Sequence, residues 1–99
     1  MATTSALLQL SGAYLNEDWT ADYATWEEAV DAFIVESPDE APTLPDEIAQ
    51  VLATYSTEQR LEAHMLEQGF DYLPRTDDGG YRGLLTKIAD RVSKANSNR

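Results

Sequence analysis

Apolar side chains recur every three or four residues in five stretches of the chain, the spacing of one face of an α-helix. The first stretch carries Leu7, Leu8 and Leu10, with Tyr14 four residues on. Thr3 and Thr4 can cap it and Gly12 weakens its end, so a helix is expected from Ser5 to about Tyr14, followed by a turn over Leu15 to Thr20. The second stretch holds Trp26, Ala29, Val30 and Phe33. Thr25-Trp26-Glu27-Glu28 reads as a capping box at its start, and Ser37-Pro38 stops it near Glu36. Pro38 to Pro45 contains three of the four prolines and reads as a loop. A third helix starts near Leu44 or Pro45, proline being tolerated in a first turn, with Ile48, Val51, Leu52 and Tyr55 on its inner face.

Ser56-Thr57-Glu58-Gln59 reads as a second capping box, opening a helix with Leu61, Met65 and Leu66 inside. That helix runs to Gln68, and Gly69 fits the residue just past a helix end. Phe70 to Gly80 lacks helical spacing; Asp77-Asp78-Gly79-Gly80 marks a turn, with a hairpin-like segment near 70–80 as an option. The last helix is expected from Tyr81 or Arg82 to Lys94, with Leu84, Leu85, Ile88 and Val92 inward. The fold class expected is all-α: one small domain over 1–99 of about five short helices, with an ordered core over about 4–94 and a frayed end at 95–99.

Composition adds little to that picture. A hydrophobic content of 42% with two Trp, five Tyr and two Phe suits a globular domain rather than a disordered one. The chain has no cysteine, which removes disulfides, thiolate metal sites and a cysteine nucleophile. Met1 to Leu10 has no positive n-region and its apolar run is broken at Gln9, so no signal peptide is expected. No stretch nears the ~20 apolar residues of a membrane span, and a cytoplasmic location is expected.

Charge changes the picture more. The chain carries a net charge of −11, and it is unevenly spread. Residues 1–59 contain twelve acidic side chains and no lysine, arginine or histidine; all seven basic residues lie at or after Arg60. A surface of that kind repels nucleic acid and anionic membranes and attracts a cationic partner.

Catalytic chemistry finds little footing. His64 is the single histidine and lies between core positions of its helix, where an ordinary edge residue is the expected role. Asp78-Gly79-Gly80 lacks the lysine and preceding strand of a phosphate loop, and no serine sits in a nucleophile elbow. Paired carboxylates such as Glu27-Glu28, Asp39-Glu40 and Asp46-Glu47 diverge by about 100° on a helix and read as exposed, whereas acid–base work needs one of a pair desolvated. Asp71, Asp77 and Asp78 lack the spacing of a calcium loop. Arg82, Lys87, Arg91 and Lys94 make a modest basic stripe interrupted by Asp90, better suited to the dipole of the helix end than to phosphate binding. The expectation is therefore no catalytic residue, no metal and no cofactor.

The strongest candidate is the segment in which Tyr14, Trp19, Tyr23 and Trp26 interleave with Glu17, Asp18, Asp22, Glu27, Glu28 and Asp31. Aromatic side chains anchor interfaces and carboxylates steer a cationic partner, although Tyr14, Trp19 and Trp26 also fit a core role. Tyr14-Leu15-Asn16-Glu17-Asp18-Trp19, then Tyr23, then Thr25-Trp26-Glu27-Glu28-Ala29-Val30 resembles the opening of the all-helical immunity proteins of bacterial contact-dependent growth inhibition. The acidic proline-containing loop and the Leu84-Leu85 pair of the last helix extend the resemblance over roughly residues 5 to 93, with Leu84 standing where that family often has tryptophan.

The resemblance implies a protein that binds and neutralises a cognate toxin domain, commonly a nuclease with a basic cleft, without catalysis of its own. Asp18-Trp19 carries over as a structural motif. The expected contacts are Tyr14, Glu17, Asp22, Tyr23, Glu27, Glu28, Asp31, Asp39 and Glu40, with Tyr14 or Tyr23 as anchor. An acidic helical adaptor, or a DNA mimic acting on a nucleic-acid-binding protein, uses the same charges and is the alternative reading.

Overall fold

The helices of this chain are held at their ends by side chains reaching in from other helices, so several carboxylates that look like plain surface charge are part of the frame. The computed structural model describes residues 6–16, 19–70 and 79–97, and among these it contains six α-helices and no strand. The chain is all-α.

The expected first helix is two pieces. α1 (Ala6–Gln9) continues into a π turn over Leu10–Tyr14, closed by the Leu15 amide donating to the Leu10 carbonyl five residues back at 2.9 Å. The wider turn rotates each residue less, so Leu10, Tyr14 and Leu15, all buried, lie closer together around the axis than α spacing would place them. The expected turn over Leu15 to Thr20 is shorter than read: α2 (Trp19–Asp22) begins inside it, and its four residues are too few for a periodic signal.

α3 (Trp26–Glu36) starts as read. Thr25 Oγ1 accepts the Glu28 amide at 3.2 Å, and Glu28 reaches back to the amide of Ala24, one residue earlier than a standard capping box. Trp26, Ala29, Val30 and Phe33 are buried, as the stripe predicts. The loop after Pro38 tightens into a 3-10 turn (Ala41–Thr43) that leads into α4 (Leu44–Thr54). α5 (Glu58–Glu67) is capped by Thr57, whose Oγ1 accepts the Arg60 amide at 3.2 Å; Ser56, the expected cap, sits one residue outside. Leu66, expected inside, is 50% exposed because the buried line of α5 runs through Leu61 and Met65. Gly69 closes α5 at φ +86°, with the Phe70 amide donating to Met65 and its own to Leu66. The hairpin-like option near 70–80 and the acids Asp71, Asp77 and Asp78 fall almost wholly on 71–78, outside the described residues.

α6 (Gly80–Ser97) is the axis of the fold and extends past the expected end at Lys94. It packs on α3, α4 and α5, with Leu84, Leu85, Ile88 and Val92 buried against Phe33, Leu44, Ile48, Leu61 and Met65. Three side chains pin these helices together. Glu47 of α4 accepts the amides of Ala6 and Leu7, each at 3.0 Å, at the start of α1. Glu58 of α5 accepts the amides of Tyr81 and Arg82 at the start of α6. Arg82 returns across to the end of α4, where its guanidinium donates to the carbonyls of Leu52 and Tyr55. Each contact pairs a charge with the helix end of opposite partial charge.

Candidate functional site

The outer line of α3 is set by the same spacing that sets its core stripe. With Trp26, Ala29, Val30 and Phe33 inward, Glu28, Asp31 and Val35 point directly away from the core, and all three are exposed. Glu27 sits half-buried at the flank. Glu36 closes the helix, and Asp39 and Glu40 continue the acidic run in the following turn, Asp39 exposed and Glu40 half-buried. Asp22 is exposed at the end of α2, and Tyr23 is half-buried beside it. The fold thus brings Asp22, Tyr23, Glu27, Glu28, Asp31, Asp39 and Glu40 onto α3 and its two flanks. Glu17 lies outside the described residues. Tyr14 is buried: its ring meets Phe33 edge-on at 5.5 Å and Tyr23 at 6.4 Å. Trp26 is also a core residue, and Trp19 packs half-buried against the core edge.

Two residues that sequence reasoning did not select shape this face. Arg91 of α6 grips Asp31 with both arms of its guanidinium, Nε to Oδ1 and Nη2 to Oδ2, each at 2.8 Å. This hydrogen-bonded pairing holds the Asp31 carboxyl below its ordinary range, against a smaller opposing effect of burial. Glu36 is the second: its Oε1 accepts the Tyr14 hydroxyl at 2.7 Å. A buried tyrosine hydroxyl needs a partner, but nothing in the spacing says which residue supplies it.

The pair between Asp31 and Arg91 makes stability depend on pH in a definite direction. A carboxyl with a lowered folded pKa adds stability above its unfolded value of about 3.9, and that stability is lost as pH falls through the folded value. Both side chains are roughly half exposed, at 51% and 40%, so solvent screening limits the contribution. Asp31→Asn should cost about 0.5 kcal/mol at neutral pH in urea unfolding, a difference that shrinks towards zero in acid. A gap of unchanged size in strong acid would refute the assignment.

Two other basic residues of α6 are also engaged. Arg82 is on the carbonyls of α4, and Lys94 pairs with Asp90 at 3.0 Å one turn away. Three of the four residues of the expected basic stripe, Arg82, Arg91 and Lys94, therefore meet acids or backbone oxygens. His64 stacks on Tyr55, with centroids 4.4 Å apart and planes 21° apart, at the edge of the groove between α4 and α5. Among the described residues no three His, Asp or Glu side chains gather as a metal site would require, and no helix is long and apolar enough to cross a membrane.

An all-α frame is what the resemblance of the opening segment implies, and comparison with known families decides the family. The family described as CdiI immunity protein matches residues 3–92, nearly the whole chain. The chain belongs to that family. No curated protein and no solved structure matches it. Membership in the CdiI immunity proteins implies neutralisation of a toxin by binding it, so the partner is a toxin protein.

Proposed function

We propose that this immunity protein neutralises, in the cytoplasm, a toxin domain that works through a basic surface, a nuclease, by laying the α3 face over that surface. The observation that carries the reading is the concentration of Asp22, Glu27, Glu28, Asp31, Glu36, Asp39 and Glu40 on α3 and its flanks. Within this set Asp31 is paired with Arg91. A nuclease cleft is lined with the Lys and Arg that bind phosphates, and a fixed row of carboxylates opposes them directly. Glu17 is counted with this set by its sequence position alone, and Tyr23 offers half-buried aromatic area beside Asp22. Tyr14 contributes from beneath, by supporting Tyr23 and Glu36. Family membership favours this reading over an adaptor or DNA mimic, since it already supplies a toxin as the partner.

Opposite charges raise the encounter rate, and the effect weakens with salt because the Debye length shrinks. Asp22 and Asp39 have exposed side chains, which makes them suitable for charge reversal. In stopped-flow mixing with the cognate toxin domain, the pair Asp22→Lys and Asp39→Lys should slow association about tenfold at low salt and flatten its salt dependence. An association rate equal to that of the wild type at every salt concentration would reject this face.

A further inference from the structure

Tyr14 is a core residue whose hydroxyl reaches the surface. Its ring is fixed edge-on against Phe33, and its hydroxyl donates to Glu36 Oε1 at 2.7 Å. Burial first, and the hydrogen bond to Glu36 second, push the tyrosine pKa up, so at neutral pH the hydroxyl keeps its proton and remains a donor. Next to it, Ser37 Oγ accepts Gln9 Nε2 at 2.9 Å, which ties the end of α3 to α1. Glu36 is therefore an exposed carboxylate with one oxygen held from below, leaving the other free to accept.

Tyr23 borders the same spot. Its ring lies 6.4 Å from that of Tyr14 and is tilted by 31°. Tyr14 thus stands between the two, its ring facing that of Tyr23 and its hydroxyl on Glu36, and the Tyr23 hydroxyl is also pushed up, by burial and then by the negative charges of Glu36 and Asp22. Among the described residues no cation pairs with Glu36, and the chain has no basic residue before Arg60. A fixed carboxylate beside an accessible phenol ring, with no cation of its own, matches the two needs of a guanidinium: a flat π face to stack on and an acceptor for its N–H fork.

We infer that Glu36 and Tyr23 form a cradle for one arginine side chain of the toxin partner, with Tyr14 as the positioning residue that holds the carboxylate in place. The inference rests on the toxin-binding reading above and deepens it, because it picks one buried charge-assisted contact out of a face that otherwise acts at long range. The two roles separate kinetically: rim charges set the rate of arrival, whereas a desolvated pair sets the rate of departure.

The test measures dissociation of the full-length protein from its toxin domain by surface-immobilised binding. Glu36→Gln keeps an acceptor for Tyr14 and changes an exposed side chain, so its melting temperature should match the wild type while its off-rate rises about tenfold or more. Tyr23→Leu keeps apolar bulk and loses the π face, and should raise the off-rate about fivefold. Tyr14→Phe should raise it about threefold in the wild type and hardly at all in the Glu36→Gln background, a non-additivity that a purely structural role for Tyr14 would not produce. Wild-type binding with off-rates unchanged in both Glu36→Gln and Tyr23→Leu overturns the cradle and leaves the acidic face intact. Absence of wild-type binding to the toxin domain overturns the reading beneath it. Equal loss of affinity when the matching toxin arginine is replaced by lysine or by alanine supports the cradle as guanidinium-specific, and full retention with lysine overturns that specificity.

Discussion

Gly80→Ala should lower the melting temperature by about 10–20 °C, one of the largest effects of any single change to an incompletely buried position in this protein. Gly80 opens α6 at φ +73°, a region where an L side chain costs about 1–2 kcal/mol. An added Cβ would also fall 2.6 Å from Glu58 Oε2, inside the space of the carboxylate that accepts the Tyr81 and Arg82 amides. The substitution therefore strains the backbone and dislodges the cap together. Glu58→Ala alone removes the cap and should cost about 1–2 kcal/mol. In the double variant the steric conflict is gone and the cap is already lost, so the combined cost should fall about 1 kcal/mol short of the sum of the two single costs. Scanning calorimetry on the four proteins measures that cycle. Strict additivity, or a Gly80→Ala protein as stable as the wild type, would show that the Glu58 carboxylate does not hold the start of α6.

The cap at Gly80 also marks the limit of what the sequence makes legible. Helices declared by a repeating apolar stripe are readable: Trp26, Ala29, Val30 and Phe33 define α3, and Leu84, Leu85, Ile88 and Val92 define α6, because burial repeats at the helical period. Local signals are readable too, such as Thr25 before α3 and Gly69 after α5, since the partners lie within five residues. Contacts between distant residues leave no such trace. Glu47 meeting the start of α1 spans 41 residues, and Arg91 meeting Asp31 spans 60; in each case the sequence shows a charge and not its destination. For the acidic face the consequence is specific. The count of twelve carboxylates in residues 1–59 treats all of them as available, whereas Glu47 and Glu58 are spent on helix starts and Asp31 is neutralised in place. Of the acids that remain along the chain, Asp22, Glu27, Glu28, Glu36, Asp39 and Glu40 lie on α3 and its flanks, while Asp46, Glu62 and Glu67 are exposed on α4 and α5. The Tyr…Asp-Trp segment gave the family, while Glu36, with a hydroxyl from 22 residues earlier, needed coordinates.

Phe33→Ala should be the most damaging single truncation, costing about 3–5 kcal/mol of unfolding free energy in urea titration. Phe33 is fully buried at the meeting of α3 with the π turn and α6, and it supports the Tyr14 ring edge-on. For a domain whose whole stability is about 5–15 kcal/mol, that is a large share of the folded state. Val35, two residues along the same helix and 76% exposed, gives the control: Val35→Ala should change stability by less than about 0.5 kcal/mol. The contrast follows from geometry alone, since a step of two residues turns about 200° around the helix axis. The damage at Phe33 also has a surface consequence. With the ring removed, Tyr14 loses the wall that fixes its hydroxyl against Glu36, and that carboxylate gains rotamer freedom which a bound partner must then restrict. At temperatures where the variant is still folded, its off-rate from the toxin domain should therefore rise about threefold, in step with Tyr14→Phe, because in the proposed cradle both side chains act through Glu36. An off-rate identical to the wild type in the folded variant would mean that Glu36 is held by something other than the tyrosine beneath it.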